Sequence, residues 1–336
     1  MGEPTAVAVD ATSTSNPPVE ATSATHASPD TDKLAIVSTV VNNIYHNLSD
    51  DEKEQAARAS SYRYFVIFSS PTEKEGRDQQ REKHSKNMIE RYVTVEKKLN
   101  QSKSPDTWEA QACLKLKNTL QYREEKHVDA IRLCFHQEKL GDGGLHSNLR
   151  DGLTKRFASK ASIIRGYTID GQAMFQNFAK NDSNWDDRDF FIKGNIYMLE
   201  RALACTERNT DGEKDKVVAF YDYNGYGLKN TPPVMFAKEL LFDLRDHWPE
   251  RLQQVFMVDT PFVFRAFWMI IKHFIDPITK ELVHFITGEE QKQLLRKMIG
   301  EDQAAPFMFD GGKNGKEVDN ETFFYNTPFD HVYGEC

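Results

Sequence analysis

Along most of the chain, apolar residues recur at helical or strand spacing, but one segment fits neither pattern. From Pro261 to Ile275 the sequence PFVFRAFWMIIKHFI is apolar on nearly every face, with only Arg265, Lys272 and His273 polar. A helix with this pattern is buried or faces lipid, and this one falls well short of the roughly 20 residues that cross a bilayer. It predicts either a core helix or a lid that covers an apolar cavity and meets a membrane. Arg265 and Lys272 are two turns apart and would share a thin basic stripe. A helix ending at Trp248-Pro249-Glu250-Arg251 and a strand over 255–259 lead into the segment. Asp276-Pro277 stops it, and a strand over 282–285 follows.

Helical spacing fills residues 33–137. Leu34, Val37, Val41, Ile44 and Leu48 fall on one face. Ser49 followed by Glu52 is a capping-box pattern that starts a second helix. An apolar run, Tyr64 to Phe68, precedes Pro71. The charged residues 72–100 read as a solvated helix or paired helices. Pro105 opens a helix that turns Trp108, Ala112, Leu116 and Leu120 inward. Gly141, Gly143 and Gly144 mark a linker. The second half changes character. Strands over 162–167 and 173–175 are joined at Asp170-Gly171, a good turn pair. A helix over 184–207 places Ile192, Ile196, Leu199 and Leu203 on one face. Val217 to Tyr221 is a continuous apolar run, as in a strand buried on both faces. Pro232-Pro233 leads into the helix that ends near His247. The order β-α-β-α-β predicts an α/β fold with a mostly parallel sheet and right-handed crossovers.

Composition narrows the function classes. The 336 residues are 28% charged with a formal net charge of -8, which argues against general nucleic-acid binding. The four cysteines show no paired spacing, so neither a disulfide framework nor a zinc site is expected. Residues 1–31 are rich in Ala, Thr, Ser and Pro and contain no aromatic residue, the composition of a disordered tail. No Lys or Arg precedes Lys33, so no signal or transit peptide is expected.

Catalytic motifs are scarce. There is no GxSxG, HExxH, CxxC or GxxxxGK[ST], and no catalytic residue, metal or cofactor is expected beyond a bound lipid. Asp222 stands at the end of a strand, where α/β ligands bind, but an Asp that caps a turn before glycine is the stronger reading. His247 and Glu250 could pair as acid and base, with nothing nearby to serve as nucleophile.

The ordered motifs of the C-terminal half resemble those of the CRAL-TRIO lipid-binding domain family, and in particular its secretory phosphatidylinositol-transfer members. Arg165-Gly166-Tyr167 with Asp170-Gly171-Gln172 is similar to the family's hairpin, and Asp222-Tyr223-Asn224-Gly225 to its D-x-x-G turn. Trp248-Pro249-Glu250-Arg251-Leu252 resembles YPERL. Asp259-Thr260-Pro261 with Phe264 and Trp268, then Asp276-Pro277 with Thr279, continue the series. Phe309-Asp310-Gly311-Gly312 resembles its close, and Leu120-Gln121-Tyr122-Arg123 the end of its N-terminal helical part. The resemblance implies a CRAL-TRIO fold over 161–312, with a sheet flooring an apolar pocket under a mobile gate helix. It also implies a helical part over 32–137, similar to the family's N-terminal region from about residue 88, a linker over 138–160 and a C-terminal tail over 313–336.

By the same resemblance, the protein binds one lipid internally and transfers or presents it at membranes. Phe264, Phe267, Trp268 and Ile271 would line the pocket, and Phe262, Arg265, Lys272 and Phe274 would form the gate's membrane contact. Phosphatidylinositol-binding members use the Glu of YPERL, here Glu250, and a Lys after DPxT, where this chain has Leu282. Lys280, two residues earlier, would point to the same side if it lay on a strand. Phosphatidylcholine-binding relatives carry hydroxyl residues where this chain has Val217 and Ala219. The ligand set therefore includes phospholipids, phosphatidylinositol among them, and neutral isoprenoids or sterols. The expected setting is cytoplasmic, with reversible peripheral attachment to a membrane surface. Two alternatives stay open: a scaffold that docks partners such as small GTPases, and an enzyme acting on a lipid.

Overall fold

A computed structural model of the chain describes residues 29–68, 76–136 and 145–335. The expected disordered tail lies outside them except for 29–31, which begin the first helix, and the glycines 141, 143 and 144 also lie outside. Helix α1 (Pro29–Asn47) is followed by α2 (Asp50–Ser60), α3 (Tyr62–Ile67), α4 (Arg77–Leu99), α5 (Pro105–Glu125) and α6 (Val128–Leu133). The predicted capping box is present at the start of α2. Ser49 Oγ accepts from Glu52 N at 3.1 Å, and Ser49 N donates to Glu52 Oε2 at 2.8 Å, satisfying two otherwise unpaired amides. Val40, Val41 and Ile44 of α1 and Leu48 just after it pack with Met88, Ile89, Tyr92 and Val93 of α4 and with Ala112, Leu116 and Leu120 of α5. Leu34, expected on this face, is 71% exposed, one turn beyond the end of the packing. Helix α4 is therefore more than a solvated helix. Its high charge surrounds a narrow apolar stripe that closes a helical core.

Helix α7 (Leu145–Phe157) occupies most of the expected linker, and this is a correction. Leu149, Leu153 and Phe157 recur every fourth residue, lie on one face and are buried. Then come β1 (Ser162–Tyr167), β2 (Ala173–Phe178), α8 (Arg188–Asn209), β3 (Val217–Asp222), α9 (Val234–His247), β4 (Leu252–Val258), α10 (Phe262–Ile271), α11 (Pro277–Glu281), β5 (Val283–Ile286), α12 (Gly288–Leu295) and α13 (Asn320–Asn326). The five strands lie side by side in chain order. The β1–β2 pair is an antiparallel hairpin, turned at Gly171 with φ 87°, a conformation that favours glycine. The other three pairs are parallel, each joined through helices.

Strand alternation gives the sheet two different faces. Met174, Val218, Phe220, Phe256 and Val258 pack under Leu295, Ile299, Met308 and Phe309. On the other face Phe175 pairs with Ala219, Ala219 with Val255, and Val255 with Val283, while Tyr221 pairs with Met257. This second face turns toward α10.

The expected C-terminal tail is also corrected. Val318, Phe323, Phe324, Phe329 and Val332 are buried, with Phe324 against Phe135, Phe157 and Tyr197. The buried guanidinium of Arg201 donates to the carbonyls of Thr327, Pro328 and His331 at 3.4, 2.8 and 3.0 Å. Aromatic burial and these bonds hold the segment against α8.

Candidate functional site

A cavity of about 930 Å³ lies above the second face of the sheet, a size typical of small-molecule sites. Phe175, Ala219, Tyr221, Val255 and Met257 form its floor, and Ala237, Leu240, Leu241 and Leu244 of α9 form a wall. Helix α10 roofs it. Phe264, Phe267 and Ile271, at spacings of three and four, are buried at 2%, 8% and 8% exposure and line the cavity. Phe264 rests on Tyr223 with ring centroids 3.9 Å apart. Half-buried Trp268 lines the same roof and meets Phe285 edge-on. The four predicted lining residues are thus brought together.

The outer face of α10 is apolar too. Phe262, Met269 and Ile270 are 84%, 58% and 50% exposed. One side of the helix faces the cavity and the other faces outward, which accounts for its all-round apolar sequence. Phe262 and Arg265 are exposed on the outside. Lys272 starts a 3-10 turn after α10 and is half-buried, with Nζ 3.4 Å from Met269 Sδ. Phe274, expected to point outward, instead lines the cavity and meets Phe242 edge-on. The tighter turn after Ile271 carries it to the inner side.

Glu250 lies on the cavity lining in a left-handed conformation, φ 59°, two residues before β4. Its Oε1 accepts from Lys98 Nζ of α4 at 2.8 Å, and its Oε2 from Lys216 Nζ at 2.9 Å. Burial alone would raise this carboxyl's pKa, but the two ammonium groups outweigh it and hold it below its ordinary value. Lys280 is not part of this group, and the strand argument for it is corrected. Asp276 accepts from Thr279 N at 2.9 Å and, with Pro277 in the first turn, starts the short helix α11. The strand begins only at Val283, and Lys280 stands exposed, away from the cavity that Leu282 lines. Lys98 belongs to a basic stretch visible in the sequence, but its pairing was not. Lys216 directly precedes β3 and Glu250 lies two residues before β4, so the parallel pairing of these strands brings both to the same end of the sheet.

The remaining polar candidates are structural. Asp222 Oδ1 accepts from Asn224 N at 2.9 Å in the turn before Gly225, whose φ is 80°. His247 stacks on Tyr122 at 3.8 Å and shares a hydrogen bond with Thr119 Oγ1 at 2.9 Å, so it does not pair with Glu250. Behind the cavity, buried Glu200 accepts from Arg123 Nη1 and Trp248 Nε1, both at 2.7 Å, and from Arg132 Nε at 2.6 Å. Burial raises the Glu200 carboxyl, but the charges of Arg123 and Arg132 dominate and hold it far below the usual carboxylate range. This clamp joins α5 and α6 to α8 and fixes Trp248, two residues before Glu250.

No helix among the described residues is long and apolar enough to cross a membrane. Residues 158–308 match the model of the CRAL/TRIO domain. The chain is 25% identical over 212 residues to the SEC14 cytosolic factor of Eremothecium gossypii, covering 60% of this chain and 64% of that protein. It is 25% identical over 154 residues to phosphatidylinositol transfer protein SFH5 of Meyerozyma guilliermondii, covering 45% of each. It is 33% identical over 101 residues to phosphatidylinositol/phosphatidylcholine transfer protein SFH7 of Arabidopsis thaliana, covering 29% of this chain and 18% of that one. The chain thus spans less than two thirds of the length of each of these relatives. The crystal structure of Sfh5 shares the fold, with a TM-score of 0.54 at 16% identity over 84% of this chain and 89% of that one. Sheet, roofed cavity and motif order agree with the matched model: residues 158–308 form a CRAL/TRIO domain, and parts of the chain are similar to Sec14-like phosphatidylinositol transfer proteins.

Proposed function

We propose that this protein holds one lipid in the cavity above the sheet and exchanges it at a membrane surface in the cytoplasm. The observation that carries this reading is α10, apolar toward a cavity of about 930 Å³ and apolar toward the outside. Enclosing an acyl chain is worth about 0.8 kcal/mol per methylene, enough to hold a molecule that water would reject. Exchange then requires the roof to move, and Phe262, Met269 and Ile270 supply an apolar contact for the bilayer, with Arg265 beside them for anionic headgroups. The role is binding and transfer, with no bond broken.

Phosphatidylinositol is the ligand that the names of the relatives favour. Lys98 and Lys216 are the cations available to its phosphate, with Glu250 holding them in place. Val217 and Ala219, which also line the cavity, offer no hydroxyl to a choline-type headgroup. That same apolar floor favours a neutral isoprenoid or sterol as a second reading. Transfer of labelled phosphatidylinositol, phosphatidylcholine and cholesterol between vesicles tests the proposal. Saturable transfer of phosphatidylinositol is expected. Transfer of cholesterol alone would shift the ligand to the second reading, and no transfer of any of the three would overturn the function.

A further inference from the structure

A second cavity, of about 430 Å³, lies between the N-terminal helices and the start of β3. Unlike the first it is polar, and its lining holds six Lys and Arg side chains against four Asp and Glu. The imbalance centres on Arg91 and Arg251, both buried, which share one carboxylate. Asp215 Oδ2 lies 3.0 Å from Arg91 Nε and 3.6 Å from Arg251 Nη1. The other acids lining it are committed. Glu207 accepts from the backbone of Tyr62 and Arg63 at 2.9 and 3.2 Å, Glu200 is clamped by Arg123 and Arg132, and Asp211 lies 3.7 Å from Arg63. Arg91 Nη1 has the thioether of Met88 as acceptor at 3.5 Å and its Nη2 donates to Ser60 Oγ at 3.3 Å, while Arg251 donates to the carbonyls of Asp215 and Ser60 at 3.0 and 2.7 Å. Lys83 and Lys214 stand at the rim, with no ion pair among the described residues. Burial, and next the charge of Arg91, push the Arg251 guanidinium down to about 9.

Two buried guanidiniums share Asp215 as their one ion-pair carboxylate, and the lining carries two more cations than acids, an arrangement that favours an added anion. We propose that this second cavity is a site for a small phosphate-bearing anion, held by Arg91 and Arg251 at its base and by Lys83 and Lys214 at its rim. Arginine forks suit phosphate oxygens and lysines add point charges. The site adjoins the lipid cavity, and Arg251 lines both. Asp215 and Lys216 are neighbours, as are Glu250 and Arg251; Lys216 and Glu250 pair on the lipid cavity, while Asp215 and Arg251 pair on the second.

Calorimetric titration of the full chain with sodium phosphate and with inositol 1,4,5-trisphosphate, in a chloride buffer, tests this. Saturable binding to one site is expected, weakened at least tenfold in a Lys83→Ala/Lys214→Ala double variant and unchanged in Lys98→Ala/Lys216→Ala. The rim lysines are exposed, so the first double variant keeps the fold. Vesicles with and without phosphatidylinositol 4-phosphate, with soluble trisphosphate as competitor, tell whether the anion is lipid-borne or free. Absence of saturation, equal affinity in the rim variant, loss only in the Lys98/Lys216 variant, or equal loss in both would each overturn the proposal.

Discussion

Lys98 of α4 donates to Glu250 Oε1 at 2.8 Å, joining residues 152 positions apart in the chain. With Lys216 on the other oxygen, this contact gives the mostly apolar cavity an ordered charged group held by both the N-terminal helices and the sheet. Replacing Lys98 and Lys216 together with Ala should lower phosphatidylinositol transfer at least tenfold while cholesterol transfer, if present, changes little. Glu250→Gln should also lower it, because the lysines lose the carboxylate that positions them. Vesicle transfer rates for the two variants check this.

The roof helix gives a prediction that separates its two faces. Phe262 is exposed, so Phe262→Asp should change stability by no more than about 0.5 kcal/mol and still reduce vesicle binding and transfer several-fold. Phe264 is buried on Tyr223, so Phe264→Ala should cost about 3–5 kcal/mol. Vesicle flotation and urea unfolding report the two effects separately.

How much of this was legible in the sequence depended on distance and length. Trp248-Pro249-Glu250-Arg251 and the α10 segment stood out because each packs its signal into adjacent residues. The mostly parallel sheet followed from alternating strands and helices. The partners of Glu250 did not show, because Lys98 is far away in the chain and no local pattern encodes a long-range ion pair. Lys280 was misplaced because α11 is five residues long, too short for periodicity to show. Helix α7 was hidden by the glycines before it, although Leu149, Leu153 and Phe157 carry its spacing. The C-terminal aromatics were passed over because their partner, Arg201, is itself buried in α8.

The Glu200 clamp predicts a large stability effect. Glu200→Gln leaves the buried Arg123 and Arg132 only the half-exposed Asp129, at 4.0 and 3.3 Å, and should destabilise the protein by roughly 3–5 kcal/mol. Its folded pKa is depressed, so its stabilisation is present above the unfolded carboxylate value of 4.5 and is lost as pH falls below it. Urea unfolding at pH 7 and pH 3 should therefore show a smaller difference between variant and wild type at pH 3.

His247 sets a milder pH dependence. Burial lowers its pKa from 6.5 to about 4, so the unfolded chain takes up the proton first as pH falls. Stability from this group is complete above 6.5 and is lost between there and about 4. The loss should be about 2 kcal/mol after allowing for partial solvent exposure. His247→Phe keeps a ring against Tyr122, and its unfolding midpoint should fall less than that of the wild type between pH 7 and pH 4.5.

The central claim, one lipid enclosed between the sheet and α10, is tested most directly by native mass spectrometry with lipid extraction on the purified full chain. The account predicts one bound lipid per protein molecule, lost or reduced when Ala219→Phe fills the cavity floor. A protein that stays empty after incubation with mixed liposomes would contradict it.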